Sequence, residues 1–343
     1  MNTLQQTEVQ PVLHLAQASG LYTPAQLELI RERCAGFASG QRVDDYEVLV
    51  SRSGAEVEGF LIFRKRTLTE AAFEISQLGS KDLSRLARLL NALQFEVRER
   101  AGKLIFVELP DLPAWQPTLD TLQNAGYRLA GETPHLYAPG SGTKHYTLHL
   151  DGSSQRQPLP PPRASNTQVA GSPQSASAPT LAVVPTTRDH RSAILEITAT
   201  TPVFGKDDQE IVEELLDLYL AKGLAEGYYF LSCLDANEVV AYTCFGPRPS
   251  TTGAYDLYWI CTDTRRRQQG AGRRLMAEVE AQALERGGYL VALETSDTPA
   301  FTATRKFYET LGYTRIVHIE QFYSDTDGLV VYAKYLRRVA EQA

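Results

Sequence analysis

The chain has 343 residues, 43% of them hydrophobic and 22% charged, and a formal net charge of -7. That length holds two domains of ordinary size, and the composition is that of a globular protein. The negative balance excludes a broad basic face for nucleic acid, and no window approaches the roughly 18 uninterrupted apolar residues of a membrane helix.

The first residues, MNTLQQTEVQPVLHLAQ, carry neither the basic start nor the long apolar run of a secretory signal. Cys34, Cys233, Cys244 and Cys261 form no CxxC pair and no His-spaced cluster, so they read as buried thiols in a reducing compartment. No metal is expected, and the expected location is cytoplasmic. SKDLSRLARLL reads as a helix opened by an Asp or Ser cap. Residues 102–137 lie on residues 288–323 without a gap at an offset of 186, with ten of 36 positions identical, among them Glu108/Glu294, Asp111/Asp297, Gly126/Gly312 and Tyr127/Tyr313. The chain therefore reads as a duplicated α+β unit. Residues 1–150 form the first copy and residues 181–343 the second. Between them, residues 151–180 are rich in Ser, Pro, Gln and Ala, hold no aromatic residue, and read as a disordered linker.

The second copy follows from periodicity. LAVVPT is a short strand. DHRSAILEITAT and DDQEIVEELLDLYLAKG are helices, and GYYFLSCLDANEVVAYTCFGP is a strand, a turn and a strand. GAYDLYWICT is a strand, and GAGRRLMAEVEAQALERGG a helix opened and closed by glycine. YLVALET is a buried strand and TPAFTATRKFYETLGY a helix with a Gly stop; TRIVHIEQFY and GLVVYAKYL close the domain as a hairpin-like pair. Each copy is expected to be a mixed β-sheet flanked by helices.

Residues 265–276, RRRQQGAGRRLM, put five arginines around Gly270 and Gly272 where a strand and loop run into a helix. The first N–H groups of a helix have no intrahelical partner and its dipole is positive there. Glycines admit a ligand close to that backbone, and arginines add paired donors for phosphate oxygens. The bland alternative is a basic helix start.

The order of strand, Arg267-Gln268-Gln269-Gly270-Ala271-Gly272, helix, strand ending in Glu294, and helix with Phe307-Tyr308 and Gly312-Tyr313 resembles the GNAT acetyltransferase superfamily. The first run matches the family's Q/R-x-x-G-x-G/A signature and the second its FY…GF/Y signature. The resemblance spans residues 181–336 and implies acetyl-CoA as co-substrate. It implies backbone contacts to the pantetheine arm from Ile260, Cys261 and Thr262, on a strand that splays from its neighbour. It implies phosphate contacts from Arg267, Gln268, Gln269, Gly270, Ala271, Gly272 and Arg273. The family's later helix commonly opens on Asn and carries a small Ala; here Phe301 and Thr304 hold those places, and a contact to the CoA arm would come from Thr304.

The implied reaction is direct attack of an amine on the thioester. A base must take the amine's proton, and the leaving thiolate needs a donor. Tyr308 matches the tyrosine that lies beside the CoA sulfur in many relatives; its bland alternative is a core aromatic. Asp256, in the apolar run AYDLYWICT, is the first candidate base, against an amine anchor or a structural hydrogen bond. Glu294 could act through water, but Glu108 holds the same place in the first copy, which favours structure. Tyr258 and Trp259 are expected to divide between the two faces of their strand, and His318 to be exposed or satisfied.

At the offset of 186, Arg267, Gly270, Gly272 and Tyr308 fall on Lys81, Ser84, Leu86 and Leu122. The first copy therefore lacks the cradle and the acid, and reads as a degenerate GNAT-like domain. Two-copy GNAT enzymes show a similar division of labour. The expected function is an acetyl-CoA-dependent N-acetyltransferase acting on a small-molecule primary amine, an amino-acid-like metabolite or an antibiotic. The alternatives are acetylation of a protein N-terminus or lysine, and a non-catalytic CoA-binding sensor or assembly module. No nucleic-acid or membrane partner is expected, and a homodimer stays open.

Overall fold

Local sequence sets each element. Helix α1 (Val9–Ser19) ends on Gly20, which takes φ 66°. Helix α2 (Pro24–Ser39) starts on Thr23, whose hydroxyl accepts from the Gln26 amide, with proline at its first position. Strands β1 (Glu47–Ser53), β2 (Glu56–Lys65) and β3 (Ala72–Ser80) follow as an antiparallel meander. Helix α3 (Leu83–Glu99) carries the chain to β4 (Leu104–Asp111), parallel to β3. Helix α4 (Gln116–Asn124) and the antiparallel pair β5 (Arg128–Ala138) and β6 (Ser141–His149) complete the first half.

The second half repeats the plan. It runs β7 (Leu181–Pro185), α5 (Arg191–Ala199), α6 (Lys206–Lys222), β8 (Tyr229–Asp235), β9 (Glu238–Pro247) and β10 (Ala254–Thr262). Then come α7 (Ala271–Glu285), β11 (Leu290–Ser296), α8 (Thr302–Thr310), β12 (Thr314–Ser324) and β13 (Asp327–Tyr335). Every element expected in this half is present. The turn between β8 and β9 is Ala236–Asn237, both at positive φ, as a tight hairpin requires.

This computed structural model describes residues 4–41, 44–151 and 181–337. Apart from Asp151, the expected linker lies outside the described residues. The strands form a single 13-stranded sheet in the order β1-β2-β3-β4-β6-β5-β12-β13-β11-β10-β9-β8-β7. The order mirrors itself about the β5–β12 seam. There β5 and β12 pair antiparallel at Gly131↔Val317. A Cβ on Gly131 would meet the Ile316 carbonyl oxygen at 2.2 Å and the Val317 Cα at 2.8 Å, so glycine lets the halves meet. Apolar residues of both halves, including Leu104, Ala130, Leu136, Leu290, Val317 and Phe322, form one core beneath the seam. Phe106 meets Phe322 edge-on with centroids 6.0 Å apart.

In the second half, α5 and α6 pack on one face of the sheet around Val212, Leu216 and Tyr242. Helices α7 and α8 pack on the other, around Leu275, Val279, Tyr308 and Tyr332. Strands β12 and β13 start 186 residues after β5 and β6 (128 to 314, 141 to 327). Strand β10 starts only 182 after β3 (72 to 254), and the α7 cap is 188 after the α3 cap (82 to 270).

Candidate active site

Strand β10 leaves its parallel neighbour early. The β10–β11 ladder covers only Ala254↔Leu290 to Leu257↔Leu293, whereas β10 stays with β9 to Thr262. The main chain of Ile260, Cys261 and Thr262 therefore faces a gap on its β11 side. The divergence starts at a bulge, where the β9 register slips between Leu257 and Trp259. The extra residue also overturns the expected division of Tyr258 and Trp259. Both pack on the α5/α6 face, with ring centroids 6.3 Å apart.

Below the gap lies the glycine-arginine loop. Asp263 accepts from the Arg265 amide at 2.9 Å and closes a 3-10 turn over Thr264–Arg266. Gln268 takes φ 66°, and Gly270, the N-cap of α7, takes φ 89°. An added Cβ on Gly270 meets nothing within 4 Å, so its constraint is the left-handed backbone. Gly272 is constrained by packing, since a Cβ there would meet the Phe307 ring at 3.3 Å. The five arginines split in use. Arg265 binds Asp263 and Glu196, and Arg266 binds Asp235 and Glu238. Arg267, Arg273 and Arg274 are exposed and form no ion pair among the described residues. Gln268, Gln269 and Gly270 are exposed too, while Ala271 is buried under the helix. The first turn of α7 therefore presents free N–H groups and two or three uncommitted guanidiniums, which suits a phosphate.

Tyr308 is buried on α8 among Phe307, Tyr313 and Tyr332, with centroids 5.4, 6.0 and 6.2 Å away. Burial, then the nearby Cys261 thiol, push its hydroxyl above the ordinary tyrosine value. A Cβ on Gly272 would meet both the Phe307 ring, at 3.3 Å, and the Thr262 hydroxyl, at 3.9 Å, so this part of α8 stands next to the splayed end of β10. The Cys261 thiol is itself pushed to about 11 by burial. Thr304 is one turn earlier on α8 and half-buried.

The two candidate carboxylates sit at the seam, in matched clusters that the sequence analysis did not anticipate. Arg248 donates to Asp256 at 3.1 Å and, through its other nitrogen, to both oxygens of Glu108 at 3.1 and 2.9 Å. Tyr137 donates to Glu108 at 3.3 Å. In the mirrored cluster Arg66 donates to Glu74 at 2.8 Å and to Glu294 at 3.4 and 3.3 Å. Each arginine thus joins a carboxylate of its own half to one of the other half. Burial raises Asp256 and Arg248 only partly restrains it, so its carboxyl lies above the usual aspartate value. Burial also raises Glu108 and Glu74, but Arg248 and Arg66 outweigh it and both lie below the usual value. Glu294, with its side chain 42% exposed, is the open member; Glu108, its counterpart, is 19% exposed. His318 is satisfied by Asp297 at 2.9 Å.

A signal for these arginines exists at the shifted offset. Arg66, Thr69, Ala72, Phe73 and Glu74 lie 182 residues before Arg248, Thr251, Ala254, Tyr255 and Asp256. A fixed offset of 186 hides that run. A further change of offset, to 188 at the helix caps, revises the helix comparison. Asp82, not Ser84, stands where Gly270 stands, and its carboxylate accepts from the Arg85 amide at 2.9 Å and the Ser84 hydroxyl at 2.6 Å. The β3–β4 ladder also ends early, at Ile75↔Val107. There the Tyr22 hydroxyl donates to the Leu78 carbonyl at 2.5 Å and accepts from its N–H at 3.0 Å, with Trp115 edge-on to Tyr22. Leu78 is 182 residues before Ile260. The first half thus closes with its own side chains both places that stay open in the second.

A family model described as the acetyltransferase (GNAT) family matches residues 192–313. A chain from Desulfovibrio desulfuricans assigned to the GNAT acetyltransferases is 31% identical; the match covers 46% of this chain and 100% of that one, with a TM-score of 0.45. The ribosomal-protein-S18-alanine N-acetyltransferase of Escherichia coli is 17% identical, over 48% of this chain and 99% of that one, with a TM-score of 0.40. An assigned acetyltransferase of Salmonella typhimurium, solved with its cofactor acetyl-CoA, is 18% identical over 48% and 98%, with a TM-score of 0.40. No curated protein matches.

Proposed function

The chain belongs to the GNAT acetyltransferase family, and from that premise we propose that its second half, residues 181–343, binds acetyl-CoA and transfers the acetyl group to the primary amine of a small molecule. The observation that carries this reading is the gap between β10 and β11 standing over a left-handed glycine loop with uncommitted arginines. Main-chain N–H groups of residues 268–273, with Arg267 and Arg273, take the pyrophosphate. The open edge of β10 at Ile260, Cys261 and Thr262 takes the pantetheine arm, and Thr304 borders it.

Tyr308 donates to the sulfur as the thiolate leaves. Its raised pKa keeps it protonated at neutral pH and makes it a hydrogen-bond donor rather than a source of free protons. The proton lost by the amine goes to Glu294, directly or through water. Glu294 suits that task better than Asp256, because Asp256 is held in the Arg248 fork while Glu294 is open to solvent. Asp256 then holds the seam together. The first half, residues 1–150, is a GNAT-like copy whose cradle and slot are closed by Asp82, Tyr22 and Trp115. A small acceptor is favoured over a protein chain by Arg66, which reaches across the seam to Glu294.

Calorimetric titration of acetyl-CoA tests the reading. One site is expected, lost on Gly270→Val and on Gly272→Val, and thiol release against a panel of amines then finds the acceptor. Two sites would show that the first half still binds, and no site would overturn the assignment. Binding without turnover of any amine would instead favour a sensor or assembly module.

A further inference from the structure

The two seam clusters are built on one plan but finished differently. Around Arg248 one guanidinium holds Asp256 at 3.1 Å and the cross-seam Glu108 at 3.1 and 2.9 Å, and Tyr137 donates to that same Glu108, whereas the tyrosine of the other cluster, Tyr46, donates to Glu74 at 3.0 Å. Around Arg66 the bond to Glu74 is firm, while both bonds to Glu294 are long. Two more guanidiniums back it. Arg64 reaches Glu74 at 3.3 Å; Arg33 lies 3.8 Å over the Tyr46 ring and donates to Ser76 at 2.6 Å. Two guanidiniums, Arg66 and Arg64, therefore pair with Glu74 and Glu294, and Arg33 adds positive charge from further off, where Asp44 also acts on it. In the Arg248 cluster each carboxylate is held at 3.1 Å or less, and His145 stands 3.6 Å from Glu108. The Arg66 cluster holds a loosely engaged guanidinium fork beside the exposed carboxylate of the second half.

A guanidinium fork matches a carboxylate in geometry and charge, and a ligand that brings its own carboxylate can replace a long, solvent-weakened bond. We propose that Arg66 is a specificity-determining residue of the acceptor site and takes a carboxylate carried by the acceptor, while Glu294 takes its amine. The first half thereby reads the substrate that the second half acetylates. The acceptor class is an amine with a carboxylate a few bonds away, because Arg66 and Glu294 are already in hydrogen-bond contact. This rests on the acetyltransferase reading given above.

The test compares amino acids of increasing spacer length with the corresponding carboxyl-free amines. Thiol release gives kcat/KM, and calorimetry on the CoA-saturated protein gives acceptor affinity without requiring turnover. The wild type should favour the carboxylated member of a pair by about tenfold to a hundredfold, the range of a charge-assisted bidentate contact. Arg66→Met should collapse that ratio towards one, and Arg66→Lys should leave an intermediate ratio. Acetyl-CoA affinity should hold in both variants and reports that they are folded. Equal preference in the wild type, or a ratio unmoved by Arg66→Met, overturns the proposal. Loss of acetyl-CoA binding in the wild type overturns the acetyltransferase reading instead, and acceptor affinities measured on the protein alone then decide the role of Arg66.

Discussion

Gly131→Ala tests whether the seam is a structural requirement of the acceptor site. The β5–β12 pairing runs through Gly131 and Val317, and the new methyl would stand 2.2 Å from the Ile316 carbonyl oxygen. Ordinary contact is about 3.5 Å, so the halves must separate locally by about an ångström. The obstacle is main chain on both sides and cannot rotate away. Overpacking of this kind costs about 1–3 kcal/mol, and rigid backbone places it near 3. For a large cooperative unit that is a fall in Tm of about 6 °C. The shift acts on an ion pair that crosses the seam and is already long, since Arg66 and Glu294 stand at 3.3 Å. Scanning calorimetry should show the lower Tm, and thiol release should show a raised acceptor KM with acetyl-CoA affinity kept, because the glycine loop lies beyond β11 and β10. An unchanged Tm would refute the argument that glycine is needed for the close approach.

The other predictions concern charge and the cradle. Arg248→Met strands Asp256 and Glu108 without their shared partner and should cost about 3 kcal/mol in denaturant unfolding. Glu74 and Glu108 titrate below their ordinary value in the folded state, so their stabilisation is complete above about pH 5 and is lost as pH falls through the depressed values; raised Asp256 works the other way and offsets part of it. Melting temperature against pH should show that acid limb, and Arg248→Met should shorten it. Gly270→Ala forces a methyl into the left-handed region at a cost of about 1 kcal/mol and should weaken acetyl-CoA binding measurably by calorimetry. Tyr308→Phe should lower kcat about a hundredfold with acetyl-CoA affinity kept; an unchanged kcat removes Tyr308 from the reaction.

Much of this was legible in the sequence because it is local. The strand, loop and helix around Gly270 announce themselves through turn residues and 3.6-residue periodicity, and the signature residues lie close together in the chain. Tyr258 and Trp259 were misplaced because alternation assumes a regular ladder, and the bulge is decided by pairing with β9. Arg66 and Arg248 were missed because the repeat changes offset between β3 and β4, where the loop around α3 differs in length from that around α7. The likeness of residues 102–137 to 288–323 is legible in the sequence, yet the joining of one sheet across β5 and β12 depends on strand edges that carry no distinctive residue apart from Gly131.

The sequence by itself determined the helix start that can hold a phosphate and the order of elements around it, since backbone conformation and capping are set by neighbours within a few residues; Tyr308 was singled out by the family resemblance. Only the tertiary structure decided which carboxylate is open. Asp256 and Glu294 are both acids on adjacent strands, and what separates them is how tightly an arginine holds each one: Arg248 closes on Asp256 with Glu108 of the first half, while Arg66 of that half reaches Glu294 only loosely. The cross-seam pairs Arg248–Glu108 and Arg66–Glu294 join residues 140 and 228 positions apart, and folding alone sets those distances.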